Sequence, residues 1–279
     1  MTTFCVCGAG TMGSGIAQVA ASAGFKTILY DLNEDIIQNA QIKIEKDLHS
    51  LMEKQKITTE KKGLILRQLH FTSNIKDCVA AFLIEAVIEK PEVKVSLFNR
   101  LAEINSDEAI FASNTSSLSI SEIARQVHRP ERVAGLHFFN PAPIMKLVEV
   151  VKGEQTSQEV ITRLVDVTKT LGKVPVVCKD SPGFIVNRVA RPYYIESLRL
   201  IEEGFADFET IDRLLESKGF KMGPFKLMDL IGNDINYAVS CSVYEQLNRP
   251  ERLKPSYIQK EKVEKGHLGK KTGKGYYSY

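Results

Sequence analysis

The sequence predicts an α/β fold class, in which a mainly parallel sheet with an inserted helical hairpin is followed by a smaller all-α domain. Three observations lead to this prediction. A glycine-rich turn joins the first apolar run to a helical pattern, short apolar runs then alternate with helical patterns, and strand signals stop after about residue 181. A chain of 279 residues has room for two domains. We expect them at 1–182, with an insertion at about 34–70, and at 183–279.

The glycine-rich turn follows the apolar run at residues 4–7 and precedes a helix-like stretch that begins at Ile16. In a Rossmann-type turn, the first glycine permits the bend, the second lets the backbone approach a pyrophosphate, and the third lets helix and strand pack closely. Glycines alone are a weak signal, but Asp31 closes the next apolar run at the spacing expected of a ribose-binding carboxylate. The predicted cofactor-binding residues of the turn are Gly8, Gly10, Thr11, Met12 and Gly13.

Asp31 also bears on the choice of cofactor. A carboxylate accepts hydrogen bonds from the ribose hydroxyls of NAD and repels the 2′-phosphate of NADP. Leu32 and Asn33, which follow Asp31, provide no arginine to neutralise such a phosphate, although a lysine from elsewhere in the chain could do so. The sequence therefore favours NAD over NADP.

The composition narrows the class of partner. Lysine and arginine total 37 and aspartate and glutamate 34, a net charge of +3, and no aromatic residues alternate with basic ones as in nucleic-acid-binding segments. We therefore expect a small-molecule partner and no nucleic acid. The first strand begins almost at Met1, which leaves no room for a signal peptide, and no apolar run approaches the length of a membrane span. These features predict a cytoplasmic protein that does not contact membranes.

The five cysteines have no zinc-ribbon or redox-motif spacing, so they are expected to be buried free thiols, and no metal site is predicted. Two of them would project from the same face of the first strand. A metal or redox pair is conceivable there, but small core side chains are the simpler interpretation. The cysteines are Cys5, Cys7, Cys78, Cys178 and Cys241.

A long charged stretch from about Glu34 to Leu69 stands where a Rossmann unit usually returns quickly to its next strand. Its lysines are interleaved with acidic residues, which favours a solvated helical hairpin with salt-bridging faces. The alternative is that one or two of these lysines meet an anionic part of the substrate.

The parallel sheet is predicted to resume with the apolar run at 82–88, followed by a helix that starts at Pro91 and a strand at 109–112. Small polar residues at 113–117 end that strand, and ligands of open α/β sheets bind at such strand ends. Ser119 and Glu122 form a capping-box pattern for the next helix.

Two further strands are predicted at 132–143, where two prolines interrupt the pattern, and at 146–151. If they lie side by side, His137 and Glu149 meet near one end of the sheet. Thr156 and Glu159 then form a capping-box pattern for a helix that ends near Gly172, ahead of a strand at 174–177. From there helical patterns dominate, with breaks expected at Pro192 and at several glycines. Their apolar faces are expected to pack on one another or to form a dimer contact.

Taken in order, these segments resemble the 3-hydroxyacyl-CoA dehydrogenase family over essentially the whole chain, and most closely its short bacterial 3-hydroxybutyryl-CoA dehydrogenases. One departure is Asn233 between Gly232 and Asp234, where the family pattern has an apolar residue. A docked C-terminal tail with an aromatic strand is a further implication of the resemblance. The matching motifs are GAGTMG at 8–13, EAVIE at 85–89, SNTSS at 113–117, GLHFFNP at 135–141, KDSPGFIVNR at 179–188 and GKKTGKGYY at 269–277.

The resemblance implies a role for individual residues. His137 would be the general acid/base and Glu149 the group that orients it, with Ser116, Asn140 and Asn187 holding the reacting oxygen and the imidazole. Histidine suits this role because a hydroxyl proton must leave when hydride is transferred, and imidazole titrates near neutral pH. Ser116 and Asn187 would also contact the substrate. On the cofactor side the resemblance adds Glu89, Lys94 and Asn114, and it assigns the inserted hairpin, with Lys46 and Lys54 as candidates, to coenzyme A.

The resulting prediction is an NAD-dependent enzyme that interconverts (S)-3-hydroxybutyryl-CoA, or a related short-chain thioester, and acetoacetyl-CoA as a homodimer. One alternative is a coenzyme A-independent dehydrogenase of hydroxy or sugar acids, which the lysine-bearing insertion disfavours. Another is a noncatalytic NAD-binding structural protein, since a fold does not guarantee a function.

Overall fold

A single sheet of eight strands organises the first part of the protein, whose structure is a computed structural model that describes residues 2–279. All neighbouring strands are parallel except β6 and β7, and the strand order is β3-β2-β1-β4-β5-β6-β7-β8. The predicted Rossmann-type sheet is thereby confirmed. The strands are β1 Thr3–Cys7, β2 Lys26–Tyr30, β3 Leu69–Thr72, β4 Phe82–Glu85, β5 Ile110–Ser113, β6 Val133–Phe138, β7 Leu147–Lys152 and β8 Val174–Lys179.

Six α-helices accompany this sheet. Phe4 and Val6 on β1 lie in one buried cluster with Ile16 and Ala20 of the first helix, so alternate residues of the central strand face that helix. The predicted helical insertion is present as two helices, α2 at Glu34–Glu53 and α3 at Thr59–Gln68. A side chain caps the N-terminus of each, Asn33 for α2 and Thr58 for α3. The helices are α1 Thr11–Ser22, α2 Glu34–Glu53, α3 Thr59–Gln68, α4 Pro91–Ala102, α5 Ile120–Ala124 and α6 Gln158–Thr170.

The helical stretch predicted up to about Leu69 ends with α3 at Gln68, and an edge strand that was not predicted, β3, follows it. Its residues are partly exposed and therefore lack the continuous apolar run of a central strand. One local expectation for this region was wrong. The N-cap of α6 is Ser157, which accepts a hydrogen bond from Val160 N, and not Thr156. The Thr156 hydroxyl instead donates to Val133 O at 2.6 Å and ties the loop to β6.

The second part of the chain is helical, as predicted. The structure divides into two compact units, one ending at Asp180 and one comprising 181–279. The core of the second unit includes Leu198, Phe225 and Tyr276. Pro192 does not break a helix, because it lies inside the first helix of this unit. The helices are α7 Val186–Glu202, α8 Phe208–Ser217, α9 Pro224–Ile231, α10 Asn233–Gln246 and α11 Tyr257–Glu264.

Two buried carboxylates fix the C-terminal tail within the second unit. Asp212 accepts hydrogen bonds from Phe225 N at 2.9 Å and Lys226 N at 3.0 Å, the first turn of α9, and from the Tyr277 hydroxyl at 2.8 Å. The tail forms only isolated bridges, at Gly269, Lys274 and Ser278, rather than the expected aromatic strand. Side-chain hydrogen bonds, and not a strand ladder, therefore hold it.

Asp229 is the second of these carboxylates, and it binds the tail from α9. It accepts hydrogen bonds from Tyr276 N at 2.9 Å, Tyr277 N at 3.0 Å and the Tyr279 hydroxyl at 3.1 Å. Asn233, the departure from the family pattern, is fully buried and donates to Asp229 at 2.8 Å. Its amide therefore serves this network. None of the described helices combines the length and apolar character needed to cross a lipid bilayer.

Candidate active site

The three glycines of the β1–α1 turn differ in what surrounds them. Gly8 has φ +101°, and a β-carbon there would lie 2.5 Å from Ala86 O. A β-carbon on Gly13 would lie 1.7 Å from Gly8 O, so the fold itself requires glycine at both positions. A β-carbon on Gly10 would have no neighbour within 4 Å. The open space above Gly10 fits the approach of a pyrophosphate, which is the role predicted for the second glycine.

Helix α1 presents its N-terminus to this open space. Its N-cap is Gly10, and no side chain caps the first turn, which begins with Thr11 and Met12. Uncapped N–H groups at the start of a helix bind anions through hydrogen bonds and the helix dipole. The turn therefore has both the room and the donors that a dinucleotide requires.

Asp31 lies at the carboxyl end of β2 and ties the turn to the loop that follows. One carboxylate oxygen accepts a hydrogen bond from Ala9 N at 2.8 Å, and the other accepts one from Asn33 N at 3.0 Å. The side chain is half-buried. Its carboxylate is thus held at the turn while part of it stays accessible, as contact with ribose hydroxyls would require.

A buried lysine joins two glutamates at the carboxyl end of β4. Lys94, 1% exposed, lies 2.7 Å from Glu85 Oε1 and 3.0 Å from Glu89 Oε2. Glu85 also accepts hydrogen bonds from Val87 N at 2.7 Å and from the Ser113 hydroxyl at 2.6 Å. Burial raises the pKa of Glu85, and the Lys94 ammonium opposes that rise. The pair links β4, α4 and β5.

Glu89 organises the polar residues after β5. Its Oε1 accepts a hydrogen bond from the Thr115 hydroxyl, from Ser116 N at 3.2 Å and from the Ser117 hydroxyl at 3.1 Å. Burial opposes ionisation of Glu89, but the Lys94 ammonium and the hydrogen bond from Thr115 hold its pKa below the ordinary value. An ionised Glu89 therefore fixes the backbone that carries Ser116.

Asn114 connects the polar residues after β5 to the next strand. Its backbone N–H donates to Glu85 O at 2.8 Å, and its side-chain oxygen accepts a hydrogen bond from Phe138 N at 2.8 Å. Phe138 follows His137 directly. Asn114 therefore sets the position of the histidine strand as well as lying at the sheet edge predicted for the cofactor.

His137 and Glu149 face each other across the antiparallel pair β6 and β7, as the side-by-side arrangement of these strands requires. They occupy one register position, and His137 Nδ1 lies 2.7 Å from Glu149 Oε2. The histidine is 6% exposed and the glutamate 0%. The His137 ring also packs against Phe139, with 4.5 Å between ring centroids. This is an imidazole with one nitrogen bonded to a buried carboxylate, the arrangement of a general acid/base and its orienting group.

The loop after β6 carries Asn140 and is held by Lys173, the residue that directly precedes β8. The buried Lys173 donates hydrogen bonds to Ala142 O at 2.5 Å and Met145 O at 2.8 Å. Burial and the nearby Lys146 ammonium lower the pKa of Lys173. Asn140 is exposed at the start of this loop.

The same loop packs against the cofactor helix. A β-carbon on Gly15 of α1 would lie 3.2 Å from Ala142 Cβ and 3.2 Å from Pro143 Cδ. Such distances are tighter than ordinary contact, so glycine at this position lets the helix and the loop touch.

The remaining predicted residues are distributed more widely. Asn187 lies in the first turn of α7, in the second unit. Lys46 on α2 and Lys54 at its C-terminus are exposed, and neither forms an ion pair with another described residue. The residues that meet at the carboxyl edge of the sheet are therefore the glycine turn, Asp31, Glu89, Lys94, Asn114, Ser116, His137, Asn140 and Glu149.

Three residues of this edge were not singled out from the sequence. Glu85 and Thr115 lie within quoted motifs, and a carboxylate at the end of the apolar run of β4 was a usable signal for Glu85. Lys173 gave no such signal, because its partners are backbone carbonyls about 30 residues away.

Comparison with known proteins gives the family. Residues 3–181 match the family model described as "3-hydroxyacyl-CoA dehydrogenase, NAD binding domain", and residues 183–279 match "3-hydroxyacyl-CoA dehydrogenase, C-terminal domain". The prediction of NAD as cofactor is thereby confirmed, and the open turn at Gly10 fits it.

Individual relatives agree with this assignment. The chain is 49% identical over 99% of its length to an Escherichia coli protein named 3-hydroxyadipyl-CoA dehydrogenase and spans 59% of that protein. It is 43% identical to the mitochondrial hydroxyacyl-coenzyme A dehydrogenase of Sus scrofa, covering 98% of this chain and 90% of that protein.

A solved structure extends the agreement to the fold. The (S)-3-hydroxybutyryl-CoA dehydrogenase of Ralstonia eutropha has a TM-score of 0.96 at 36% identity, covering 100% of this chain and 99% of that one. Both the resemblance read from the motifs and the NAD-dependent dehydrogenase class are confirmed at the level of the family. The chain belongs to the 3-hydroxyacyl-CoA dehydrogenase family.

Proposed function

We propose that this chain interconverts (S)-3-hydroxybutyryl-CoA, or a related short-chain 3-hydroxyacyl-CoA, and acetoacetyl-CoA. The observation that carries the proposal is the buried contact of 2.7 Å between His137 Nδ1 and Glu149 Oε2 at the sheet edge that also holds the glycine turn. An enzyme that moves a hydride from a carbinol carbon needs such an acid/base, because the hydroxyl proton must be accepted in the same reaction.

Glu149 determines which nitrogen of His137 takes that proton. An ionised carboxylate only accepts hydrogen bonds, so Nδ1 of a neutral His137 carries the proton in this contact and Nε2 is the unprotonated ring nitrogen. His137 then accepts the hydroxyl proton at Nε2, and Glu149 stabilises the resulting imidazolium. In the reverse direction the same nitrogen returns the proton. NAD, when bound, supplies the hydride-accepting nicotinamide.

The other predicted residues would orient the substrate and cofactor around this pair. We assign Ser116, Asn140 and Asn187 to the reacting oxygen and the imidazole, and Ser116 has the backbone position to do so because Glu89 holds its N–H at 3.2 Å. Glu89, Lys94 and Asn114 would lie on the side of the site that binds the cofactor. Held in one geometry, such groups lower the entropic cost of reaching the transition state.

The helices α2 and α3 would receive coenzyme A. A shallow depression of about 420 Å³ lies at the turn between them and is lined by Gln55, Lys56 and Thr58 among others. Lys54 adjoins it, and Lys46 lies on the preceding turns of α2, with an ammonium that forms no ion pair within residues 2–279. Ammonium groups with no carboxylate partner suit the phosphates of a nucleotide.

The proposed acyl group of the substrate is tested by comparing the rates with three substrates. NADH oxidation is followed with acetoacetyl-CoA, with 3-oxoadipyl-CoA and with free acetoacetate. Rapid oxidation with acetoacetyl-CoA alone supports the proposal. Preference for 3-oxoadipyl-CoA would transfer the assignment to the substrate named for the Escherichia coli relative. Turnover of free acetoacetate would favour the coenzyme A-independent alternative, and bound NADH without turnover of any of the three would favour the noncatalytic one.

The acid/base role is tested by His137→Gln. We expect kcat to fall by about 10²–10⁴-fold while NADH binds with unchanged affinity, because only the proton acceptor is lost. His128→Gln, at an exposed histidine, is the matched control and should leave kcat unchanged. If the His137 variant kept most of its turnover, the assignment of His137 as acid/base would be wrong.

We also propose that the protein is a cytoplasmic homodimer that associates through its second unit. Several large apolar side chains are exposed there, including Val189 at 71%, Phe205 at 74% and Leu214 at 58%. Light scattering coupled to size exclusion should give twice the mass of one chain, and a monomer at micromolar concentration would contradict the proposal.

A further inference from the structure

Three thiols meet beneath the glycine turn, on the face of β1 that lies opposite Phe4 and Val6. Cys5 and Cys7 project from the same side of the strand, and Cys78 follows a short helical turn at Ile75–Asp77. The sulfurs all lie within 4.8 Å of one another, and Cys5 Sγ is 3.7 Å from Cys7 Sγ. Each of the three residues is 0% exposed.

We propose that Cys5, Cys7 and Cys78 form a three-sulfur site for a soft monovalent metal ion, Cu(I). Metal–sulfur bonds of about 2.3 Å at trigonal or tetrahedral angles place neighbouring sulfurs about 3.8–4.0 Å apart. The separation of 3.7 Å between Cys5 and Cys7 is close to that requirement, and Cys78 Sγ lies within 4.8 Å of both sulfurs. None of the three cysteines is among the residues assigned to NAD or substrate, although Cys7 directly precedes Gly8 of the turn.

The number and kind of donors select the class of metal. No histidine or carboxylate joins the three sulfurs within the part of the chain that the structure describes. Structural zinc takes four ligands in nearly all proteins, whereas soft thiolates select Cu(I), which accepts three. A three-sulfur set with no oxygen or nitrogen therefore fits Cu(I) better than Zn²⁺. Binding forms copper–sulfur bonds and releases thiol protons to solvent, with no change in oxidation state.

The protein holds the sulfurs in place without a metal. Cys5 and Cys7 lie on a strand paired on both sides, with β2 and β4. The Cys78 segment is fastened by Asn105, whose amide donates to Cys78 O at 2.8 Å and accepts a hydrogen bond from Ala80 N at 2.8 Å.

The test is a titration of the full chain with Cu(I) under anaerobic, reducing conditions against a chromogenic chelator. We expect one tightly bound equivalent in the wild type and in Cys178→Ser/Cys241→Ser, which keeps all three buried sulfurs. Cys78→Ala should weaken Cu(I) binding by at least about tenfold. Cys5→Ala/Cys7→Ala should abolish the tight equivalent. NADH affinity and circular dichroism establish that each variant is folded.

X-ray absorption of the copper-loaded wild type provides the second measurement, and it is expected to show three sulfur neighbours. Three results would overturn the proposal. They are equally tight binding in Cys78→Ala, nitrogen or oxygen neighbours around the copper, and a wild type that binds Cu(I) no better than Cys5→Ala/Cys7→Ala. If one of these variants unfolds, the conservative single variant Cys5→Val supplies the comparison.

Discussion

The two units bury their carboxylates in different ways. In the first unit, Glu85 is paired with the ammonium of Lys94 and Glu149 with the imidazole of His137, so each faces a basic side chain. In the second unit, backbone N–H groups and tyrosine hydroxyls hold Asp212 and Asp229. The first unit thus pairs its buried carboxylates with basic side chains, one of them the proposed acid/base His137, whereas the donors in the second unit hold the C-terminal tail.

The physical basis of the second arrangement is the start of a helix. Asp212 accepts hydrogen bonds from the first N–H groups of α9, where unpaired donors and the helix dipole both stabilise a negative charge. Such a carboxylate needs no cation. It therefore anchors the tail through neutral donors, one of which is the Tyr277 hydroxyl.

The largest effect on activity is expected from Glu149→Gln, which tests the carboxylate paired with His137 in the first unit. A glutamine amide offers both a donor and an acceptor to His137 Nδ1, so the tautomer that leaves Nε2 unprotonated is no longer enforced. We expect kcat to fall by about 10²–10⁴-fold with NADH affinity retained. Glu154→Gln, at an exposed glutamate, should leave kcat unchanged. Wild-type turnover in the Glu149 variant would mean that this carboxylate does not orient the histidine.

The next largest effect is expected on stability, from Lys94→Met. The substitution leaves Glu85 buried without its cation, which costs about 3–5 kcal/mol in the free energy of unfolding. Chemical denaturation measures this loss, with Lys90→Met at an exposed position as control. Because a neutral pair needs no compensation, Glu85→Gln/Lys94→Met should recover part of the stability. A double variant less stable than Lys94→Met would contradict the pairing.

In the second unit, Tyr277→Phe removes one donor from Asp212 and keeps the ring. A hydrogen bond to a charged group contributes about 1.5–3 kcal/mol, and the two backbone donors remain, so a loss within this range is expected. Tyr257→Phe, at a tyrosine 64% exposed, is the matched control. Equal unfolding free energies for the two variants would show that the tail is not anchored through Asp212.

A finer distinction appears at alkaline pH. Burial, followed by the charge of Asp229, raises the pKa of Tyr276, so the folded protein keeps this proton above pH 10 while the unfolded chain loses it. Stability from this group is complete below about pH 10 and falls above it by about 1.4 kcal/mol per pH unit. Tyr276→Phe should therefore show a shallower decline of unfolding free energy above pH 10 than Tyr257→Phe. Parallel declines would exclude the linkage.

Features that depend on neighbours in sequence were predictable. The turn at 8–13, Asp31 and the strand at 82–85 follow from glycine conformation, the polarity of strand ends and apolar runs. The antiparallel pair that joins His137 to Glu149 was also within reach, because a loop of eight residues connects its strands and limits how they can pair.

Features that depend on residues far apart in the sequence could not be predicted from it. The edge strand β3 has four partly exposed residues, so it lacks the continuous apolar run by which the central strands were recognised. The contact between Asp212 and Tyr277 spans 65 residues, and no local pattern marks either partner. Cys78 likewise gives no sign that it meets Cys5 and Cys7, because the sheet order that brings them together is a property of the whole unit.

The absence of a side chain at Gly15 has a consequence for engineering. One face of α1 carries the turn where NAD is expected, and Gly15 brings the same helix against the loop that carries Asn140. Any change in the turn that moved α1 would also move the helix against Ala142 and Pro143 of this loop, which lie next to Gly15. Mutations that change the cofactor preference are therefore expected to affect the loop that carries Asn140 as well. Mutant libraries for this protein should vary the turn and the loop together.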